Sequence, residues 1–325
     1  MSEAIFAVVD VETTGFSPLA GDRIIEIAIV RVLADGSIAD EYATLVNPLR
    51  SVGPSELHGI EQKDVGDAPT FEEIAGDVLE RLQGLVVVGH NVRYDRDFLS
   101  AELSAAGVFL PSLPTLCSLK LAHRLHPELA NHRLATCCAA LGLDHSHPHE
   151  ALEEARATAR LLGLYMEEAQ AAGVSMAEVL DGELTFPKVW PSTAPSGRVV
   201  PRRRPRDATS TSLTFLARIA AGRSGVASDA SLAQYVDLLD RVLEDRQVTK
   251  AEAAALELTA EAWGLSQEQI HRVHEDYARR VIGVALSDGW ITSTERRDLE
   301  AVVTLLGLES SALDSMISDE AENAS

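Results

Sequence analysis

Apolar and polar positions divide the chain into two halves of different character. In the first half, short apolar runs rich in β-branched residues predict strands at residues 5–9, 23–33, 41–46 and 85–89. Apolar positions spaced three and four apart predict helices at residues 71–82 and 95–106. Short turns such as Asp35-Gly36 join the first three strands and indicate an antiparallel start to a sheet. Because strands and helices alternate afterwards, we expect a mixed sheet in an α/β domain.

The second half shows helical spacing almost throughout, for example at residues 232–243 and 253–263. It also contains an internal repeat, in which a set of residues recurs 43 positions later. The pairs are Leu243/Leu286, Asp245/Asp288, Thr249/Thr292, Glu252/Glu295, Leu256/Leu299, Gly264/Gly307 and Leu265/Leu308. Duplication of a helical hairpin explains this spacing, so a separate all-α domain is predicted.

A proline-rich, basic segment separates the two halves. Residues 184–206 contain five prolines and six basic residues but no acidic one, which predicts an extended linker. The expected domains are residues 1–183, a linker at 184–211 and a helical domain at 212–325. The linker is either a solubilising spacer or a guide for a nucleic-acid strand. In the second case, phosphates would be attracted by Arg202, Arg203, Arg204 and Arg206.

The composition is that of a soluble globular protein, with 46% hydrophobic and 24% charged residues. A formal charge of −22 argues against unaided binding to phosphate backbones, so any contact with nucleic acid is expected to be local. The three cysteines cannot form a disulfide framework and are expected to pack in the core. Because there is no apolar run long enough to span a membrane and no signal-like start, we expect a cytoplasmic location.

Three stretches carry candidate chemistry. Asp10 and Glu12 stand two residues apart on extended chain, so both carboxylates face one side. Asp95 follows the strand at 85–89 and is expected to begin a helix, where N-capping is its simplest role. The third stretch, His149-Glu150-Ala151-Leu152-Glu153-Glu154, precedes an Ala- and Leu-rich helix. Each stretch alone fits a solvated strand end, a helix cap or a surface histidine, and their joint order carries the signal.

In that order, Asp10-x-Glu12-Thr13, His90-Asn91-x-x-Tyr94-Asp95 and His149-x-Ala151-x-x-Glu154 resemble the three motifs of the DEDDh exonuclease family, the DnaQ-like type of proofreading subunits. The resemblance covers roughly residues 4–170. Further matches are Leu57-His58-Gly59-Ile60, Ala68-Pro69-Thr70-Phe71 and Asp97-Phe98-Leu99. It implies a ribonuclease-H-like fold with a mixed five-stranded sheet and flanking helices. It also implies 3′→5′ hydrolysis of single-stranded DNA or RNA, with release of nucleoside 5′-monophosphates.

The resemblance also implies a cofactor and a role for each motif residue. Four carboxylates held together repel one another, and two divalent ions, Mg²⁺ or Mn²⁺, relieve that repulsion. Asp10 would bridge both ions, Glu12 would hold one ion and the terminal 3′-hydroxyl, and Asp95 would act through coordinated water. Glu154 would complete the shell of one ion. His149 would be the general base, because imidazole commonly titrates near neutral pH.

A pocket for the terminal nucleotide is implied as well. Leu57, His58 and Tyr94 match positions that line this pocket in the family. Thr13 and Thr14, at the end of the first motif, are added for their hydroxyl and backbone groups. Stacking on such side chains tolerates any base. The overall acidity is tolerable because bound ions supply positive charge where the phosphate lies.

Glu154 departs from the family pattern, which has aspartate there. One added methylene displaces a carboxylate by roughly 1 Å, and an error of that size can cost about 10²-fold in rate. We therefore expect reduced or Mn²⁺-preferring activity, and a gain in the Mg²⁺-supported rate on Glu154→Asp. The alternative is a catalytically weakened protein that binds nucleic-acid ends or serves as a scaffold in a stress response.

The helical half resembles the tellurite-resistance TerB type of domain, on the residues 288–295 and their earlier copy at 245–252. The acidic residues of each copy invite a metal-site interpretation, but their spacing does not fit an EF-hand loop. Thr249-x-x-Glu252 and Thr292-x-x-Glu295 instead predict capping boxes, and Trp263 and Trp290 are expected in the core. The domain would dock a polymerase or stress-response partner, or regulate the nuclease.

Overall fold

The computed structural model describes residues 4–53, 55–129, 131–145, 147–174, 180–181, 186–202, 230–244, 250–286 and 290–323. The chain divides into two compact units. The first comprises Met1–Pro127 and His132–Pro205, and the second comprises Glu128–Asn131 and Arg206–Ser325. Among the described residues, no helix is both long and apolar enough to cross a membrane.

One mixed sheet forms the centre of the first unit. Its strands are β1 Ala4–Thr13, β2 Ile24–Leu33, β3 Ile38–Leu45, β4 Val86–Gly89, β5 Thr115–Cys117 and β6 Leu180–Asp181, in the order β3-β2-β1-β4-β5-β6. Strands β1, β2 and β3 pair antiparallel, whereas β4 and β5 run parallel to β1. The four strands predicted by position, together with β5, thus form the five-stranded mixed sheet that the resemblance implies. A two-residue sixth strand, β6, pairs antiparallel with the edge of β5.

Helices flank this sheet. They are α1 Ser55–His58, α2 Gln62–Val65, α3 Phe71–Leu82, α4 Val92–Ala105, α5 Ser118–Leu125, α6 Leu134–Ala140 and α7 Ala151–Ala171. Strand β2 is buried along most of its length, as its almost uninterrupted apolar sequence indicates. Helix α7 packs against β1 and β2 and buries its alanine and leucine side chains there. This packing brings the start of α7 to the middle of the sheet.

Two predicted boundaries need correction. The apolar run at residues 5–9 is only the first part of a longer strand. Because β1 pairs with β2 along its whole length, it continues to Thr13 and carries Asp10 and Glu12 in the extended conformation that was expected. Helix α4 begins at Val92, with Asn91 as its N-cap, so Asp95 lies within the first turn and is not the N-cap that was expected. Asn91 has a φ of 71°, a left-handed conformation that asparagine adopts more readily than most residues.

The basic segment is not a free tether over the residues that the structure describes. Residues 190–202 run along α3 and the end of β3, and we call them the strap. Trp190 Nε1 donates to the Leu79 carbonyl at 3.1 Å, and the Val200 carbonyl accepts from Leu45 N at 2.8 Å. The spacer and strand-guide interpretations both treated this part as unattached, which is wrong for residues 190–202. Arg203, Arg204 and Arg206 lie outside the described residues.

The second unit is helical, as predicted. Its helices are α8 Ala230–Glu244, α9 Lys250–Ala262, α10 Gln267–Ala285, α11 Ser293–Leu305 and α12 Ser310–Asn323. The capping box at Thr292 and Glu295 is present, whereas Thr249 lies outside the described residues. Trp263 is buried, but Trp290 is 71% exposed, so its expected place in the core was wrong. An exposed indole just before α11 contributes little to the core of this unit.

Candidate active site

The candidate site, called the cleft below, lies where β1 extends beyond its pairing with β4. Strand β4 pairs with β1 only as far as Val8↔Val88 and then ends at Gly89, whereas β1 continues to Thr13. Asp10 and Glu12 occur on this extension and, two residues apart, point to the same face. Antiparallel pairing places Glu26 of β2 directly opposite Glu12 and therefore on that same face.

Asp95 reaches the open edge of β1 from helix α4. Its Oδ1 accepts a hydrogen bond from the backbone N–H of Val11 at 3.2 Å, and its side chain is buried. The carboxylate thus takes the place that a continued β4 would have filled, directly between Asp10 and Glu12. Gly89 makes room for it, since a Cβ at that position would lie 2.9 Å from Asp95 Oδ2.

His149 and Glu154 complete the group from the start of helix α7. One ligand atom each from Glu12, His149 and Glu154 lie within 4.8 Å of one another. Among the described residues, neither Asp10 nor Asp95 belongs to this 4.8 Å group. Asp10 lies on the same stretch of β1, and Asp95 is bonded to it at Val11. The backbone N–H of His149 donates to Glu154 Oε1 at 2.8 Å. Three motifs far apart in sequence therefore meet at one strand end.

His149 has a φ of 62°, in the left-handed region. Such a conformation in a residue other than glycine costs on the order of 1–3 kcal/mol and is found at functional sites. It turns the chain sharply before α7, so the histidine precedes the helix and Glu154 stands on its first turns. Both carboxylates near the start of α7, Glu26 and Glu154, are stabilised by the positive end of the helix dipole.

The residues predicted to bind substrate are held in two separate networks. Tyr94 Oη and Thr13 Oγ1 are 2.7 Å apart, and both hydroxyls lie within hydrogen-bonding distance of the Gly15 carbonyl. Thr14 instead donates to Asp22 Oδ1 at 3.2 Å and accepts from Arg23 N, so its hydroxyl fastens the loop after β1. The structure therefore joins Thr13 to Tyr94 and ties Thr14 to the next strand.

The predicted pocket residues of helix α1 are only partly described. His58 is buried, and its Nδ1 accepts from Ile60 N at 3.1 Å. Leu57 belongs to α1, but its side chain lies outside the described residues. The ring nitrogen of His58 thus stabilises the turn that follows α1.

The motif residue His90 has a structural role. It is buried, with Nδ1 2.9 Å from Ser118 Oγ and Nε2 2.8 Å from the His132 carbonyl. Because a carbonyl only accepts, Nε2 carries the proton and donates it to His132 O. His90 thereby ties β4 to the segments that begin α5 and α6.

Sequence reasoning missed Glu26 beside the cleft, and it gave Arg202, which also lies there, a different role. Glu26 Oε2 accepts from Arg202 Nη1 at 2.9 Å and from the Ala151 N–H at 3.3 Å. Burial raises the pKa of Glu26, and the Arg202 guanidinium offsets part of that rise. Glu26 was detectable as the one acidic residue within the apolar run of β2. For Arg202, the basic segment suggested only attraction of a nucleic-acid strand and gave no sign of a contact beside the cleft.

The cysteines pack as expected. All three are free and buried. Burial raises the pKa of Cys138 to about 12, with further contributions from Cys137 and from the nearby Glu154 carboxylate. Cys138 therefore stays a neutral thiol behind Glu154.

Comparisons with known proteins agree with this geometry. Residues 7–162 match the protein-family model RNase_T, described as "Exonuclease". The 3′-5′ exonuclease DinG of Bacillus subtilis is 36% identical over 160 residues, which are 49% of this chain and 17% of that protein. The DNA polymerase III PolC-type of the same organism is 33% identical over 184 residues, 56% of this chain and 13% of that protein. The matched segment falls within residues 4–170, the part of the sequence on which the resemblance rests.

The chain is also similar to solved nuclease structures. Exonuclease X in complex with 5′ overhanging duplex DNA is 27% identical with a TM-score of 0.42, covering 54% of this chain and 97% of that one. Exonuclease I of E. coli with a dT13 oligonucleotide is 19% identical with a TM-score of 0.47, covering 53% and 43%. This chain spans less than a third of the length of the curated relatives named above.

Proposed function

We propose, on the premise that residues 7–162 match the exonuclease family, that this protein is a two-metal-ion 3′→5′ exonuclease. It would hydrolyse phosphodiester bonds at the 3′ end of single-stranded nucleic acid and release nucleoside 5′-monophosphates. DNA is the favoured substrate, because the names of the relatives include DNA polymerase III of the PolC type. RNA is the alternative that the experiment below separates.

One observation carries the proposal, which is the meeting of Glu12, His149 and Glu154 within 4.8 Å at the open end of β1. Asp95 is hydrogen-bonded to the Val11 amide between Asp10 and Glu12, so further carboxylates border the same place. A purely structural role does not account for this grouping, since like charges gathered without cations repel one another.

The donor set fits hard divalent cations, because carboxylate oxygens are the ligands that Mg²⁺ and Mn²⁺ prefer. Asp10, Glu12, Asp95 and Glu154 would hold two ions. When bound, such ions neutralise the phosphodiester charge and activate water for in-line attack. The DEDDh subtype, with histidine as the base, is part of this proposal.

The remaining work falls to groups of the chain itself. His149 would accept the proton of the attacking water at an imidazole nitrogen. Its position beside Glu12 and Glu154 suits that role, because the attacking water would be bound at the ions that these carboxylates hold. The joined hydroxyls of Thr13 and Tyr94 would orient the terminal nucleotide, together with Thr14, Leu57 and His58 around it.

A 5′-labelled single-stranded DNA oligonucleotide, incubated with Mg²⁺ or Mn²⁺, tests the activity. We expect a ladder of products shortened from the 3′ end, lost in Asp10→Ala and in Asp95→Asn. Asp40→Asn is the matched control, because this carboxylate lies at the exposed end of β3 in an ion pair with Arg31. If the wild type yields no ladder with either ion, or Asp10→Ala keeps it, the proposal is wrong. A matched RNA strand run in parallel decides between the two substrates.

A second candidate function is supported by Glu154, the residue that departs from the family pattern. In that case the protein binds 3′ ends or serves as a scaffold without cleaving them. Retained binding of the labelled strand without shortening, measured by fluorescence anisotropy, would favour this function. The ladder described above would exclude it.

The second unit would serve docking or regulation. Its sequence resembles the TerB type, and the capping box predicted at Thr292 and Glu295 is present. We propose a polymerase or stress-response protein as its partner and the cytoplasm as its location. Co-purification of the tagged full chain with such a partner, lost when residues 230–323 are removed, would test this.

A further inference from the structure

The strap is built into the first unit by contacts along α3. The Asp77 carboxylate, itself buried, accepts from Ser196 N at 2.8 Å, from Ser196 Oγ at 3.0 Å and from Gly197 N at 3.1 Å. The backbone approaches α3 so closely that a Cβ on Gly76 would lie 2.5 Å from the Ala194 carbonyl oxygen. Only glycine permits that approach without movement. The strap is therefore fixed well before it reaches the cleft.

Its far end is anchored in a small apolar cluster. Val200 packs against buried side chains that lie beneath α1 and α2, namely Ile25, Leu45, Val52, Ile60, Val65 and Ala68. The backbone of Val200 is also bonded on both sides, since its N–H donates to Thr44 Oγ1 at 2.9 Å and its carbonyl accepts from Leu45 N. Arg202 follows two residues later, so these contacts of Val200 determine where the backbone of Arg202 lies beside the cleft.

Arg202 connects three parts of the cleft. Its Nη1 donates to Glu26 Oε2 at 2.9 Å and to the carbonyl of His149 at 2.6 Å, and its Nη2 donates to the carbonyl of His58. The side chain is 14% exposed. A phosphate would have to displace these acceptors, so the expected role of Arg202 in attracting a strand is replaced by a role inside the protein.

The turn before α7 is thereby held at three backbone groups. The His149 N–H donates to Glu154 Oε1, the His149 carbonyl accepts from Arg202, and the Ala151 N–H donates to Glu26 Oε2. Glu26 and Arg202 are themselves paired, so two of the three contacts depend on one guanidinium. These contacts hold His149 in its left-handed conformation, with a φ of 62°.

We propose that Arg202 is a positioning residue that holds the turn bearing His149 beside Glu12 and Glu154. This inference rests on the proposed function for its kinetic consequence, but the positioning itself is independent of activity. The strap lies outside the segment that matches the exonuclease family, which ends at residue 162. Part of the architecture of the site is thus supplied by a segment beyond that match.

Kinetics of Arg202→Ala test the proposal against Arg198→Ala, a matched control. Arg198 lies on the same strap, but its exposed side chain bonds to Glu73 and to the Asp67 carbonyl instead of the cleft. With the labelled oligonucleotide we expect Arg202→Ala to lower kcat about 10- to 100-fold and to leave KM within about threefold, because loss of an outer-layer contact misplaces the reacting groups. Arg202→Lys should restore part of kcat, and Arg198→Ala should resemble the wild type.

Hydrogen exchange supplies a readout that does not require activity. The amides of residues 149 and 151 should exchange about tenfold faster or more in Arg202→Ala than in the wild type, because local opening of the turn becomes easier. Circular dichroism checks that the variant is folded. If it is not, Arg202→Lys takes its place, and a measurable loss of protection at both amides is again the expected result.

A remote variant adds a second arm. Asp77→Ala removes the anchor of the strap on α3 without touching the cleft, and we expect a smaller fall in kcat in the same direction. Combined with Arg202→Ala, its effect on kcat should largely vanish, because both changes act through the same contact. Unchanged kcat and unchanged protection in folded Arg202→Ala would overturn the inference while the wild-type ladder upheld the proposed function. A wild type without activity would overturn the proposed function, and the exchange result would still decide the inference.

Discussion

Glu154 stands on the first turns of α7 and accepts a hydrogen bond from the His149 backbone. The resemblance expects aspartate there, so Glu154→Asp should raise the Mg²⁺-supported rate. In the structure, however, Glu154 Oε1 accepts from the His149 amide at 2.8 Å, and a shorter side chain withdraws that acceptor. We predict that Glu154→Asp lowers the Mg²⁺-supported kcat about tenfold, since positioning of the adjacent histidine is lost.

Glu153→Asp provides the control for this measurement. Glu153 is the neighbouring carboxylate on the same helix turn, but it pairs with Arg156 on the outside of α7. Both variants are assayed with Mg²⁺ and Mn²⁺. A rise in the Mg²⁺ rate of Glu154→Asp would show that the missing aspartate, and not the bond to His149, limits activity.

The cysteines allow a prediction about chemical reactivity. A thiol with a pKa of about 12 is almost entirely protonated at pH 8, and only the thiolate reacts quickly. We expect the folded protein to show no rapid reaction of Cys138, or of the equally buried Cys117 and Cys137, with a thiol-specific disulfide reagent. The same protein in guanidinium chloride should react at all three. A fast-reacting thiol in the folded state would contradict the packing.

For single residues, the sequence allowed prediction of the motif positions but not of the contacts that hold these residues in place. Asp10 and Glu12 could be assigned to one face because strand periodicity is local. The contacts of Glu26 and Arg202 join residues far apart in the chain, and no local pattern encodes them. Asp95 was expected to be an N-cap because the left-handed conformation of Asn91, which starts α4 earlier, has no certain signature in a single sequence.

Helix α4 is tied to the start of strand β2 by a buried carboxylate. Glu102 is 2% exposed. Its carboxylate accepts hydrogen bonds from Arg23 Nε at 2.8 Å, from Arg23 Nη2 at 2.6 Å and from the Ile24 amide at 3.0 Å. Removing the guanidinium leaves a buried charge without its counterion. We predict that Arg23→Ala lowers the free energy of unfolding by about 3 kcal/mol, measured by urea denaturation.

Arg31→Ala is the matched control for that experiment. Arg31 also pairs with a carboxylate from a neighbouring element, Asp40, but both side chains are more than a third exposed. Such surface pairs contribute about 1 kcal/mol or less. Equal losses in the two variants would mean that burial of Glu102 does not set the energy of its pair.

The elements themselves followed well from hydrophobic periodicity. The prediction for α3 coincides with Phe71–Leu82, where a capping box at Thr70 and Glu73 marks the start. Strand β1 extends beyond its apolar run at residues 5–9, because pairing with β2 keeps the more polar residues after Val9 extended. The strap was expected to be a linker because proline-rich composition indicates extended chain but does not tell whether that chain is packed.

For the stability of the whole molecule, we expect pH to act through His274, a buried residue of the second unit. Its Nδ1 donates to the Leu306 carbonyl and its Nε2 accepts from Tyr235 Oη, each at 2.8 Å, which satisfies the neutral ring. Burial lowers the pKa of His274. A lowered folded pKa means that the stabilisation is complete above the unfolded value near 6.5 and is lost as pH falls through the folded value.

We therefore predict that calorimetry of the full chain shows an unfolding transition whose midpoint falls as pH is lowered from 7 to 5. His274→Gln should make that transition less stable at pH 7 and less sensitive to pH. His271→Gln is the comparison variant, because His271 lies on the same helix but is exposed and pairs with Glu275. It is a smaller cause of the lowered pKa of His274 than burial, so its removal should change the pH dependence less. An unchanged pH dependence in His274→Gln would contradict this assignment.

The contact between Gly76 and the strap also determines how this protein can be divided. A fragment that ends where the family match ends, at residue 162, or at the expected domain boundary at 183, would include the motif residues yet lack the guanidinium that bridges His58 and His149. Poor activity of such a fragment would reflect the cut and not the capacity of the full chain. Minimal versions of the proposed nuclease are best designed to end after residue 202.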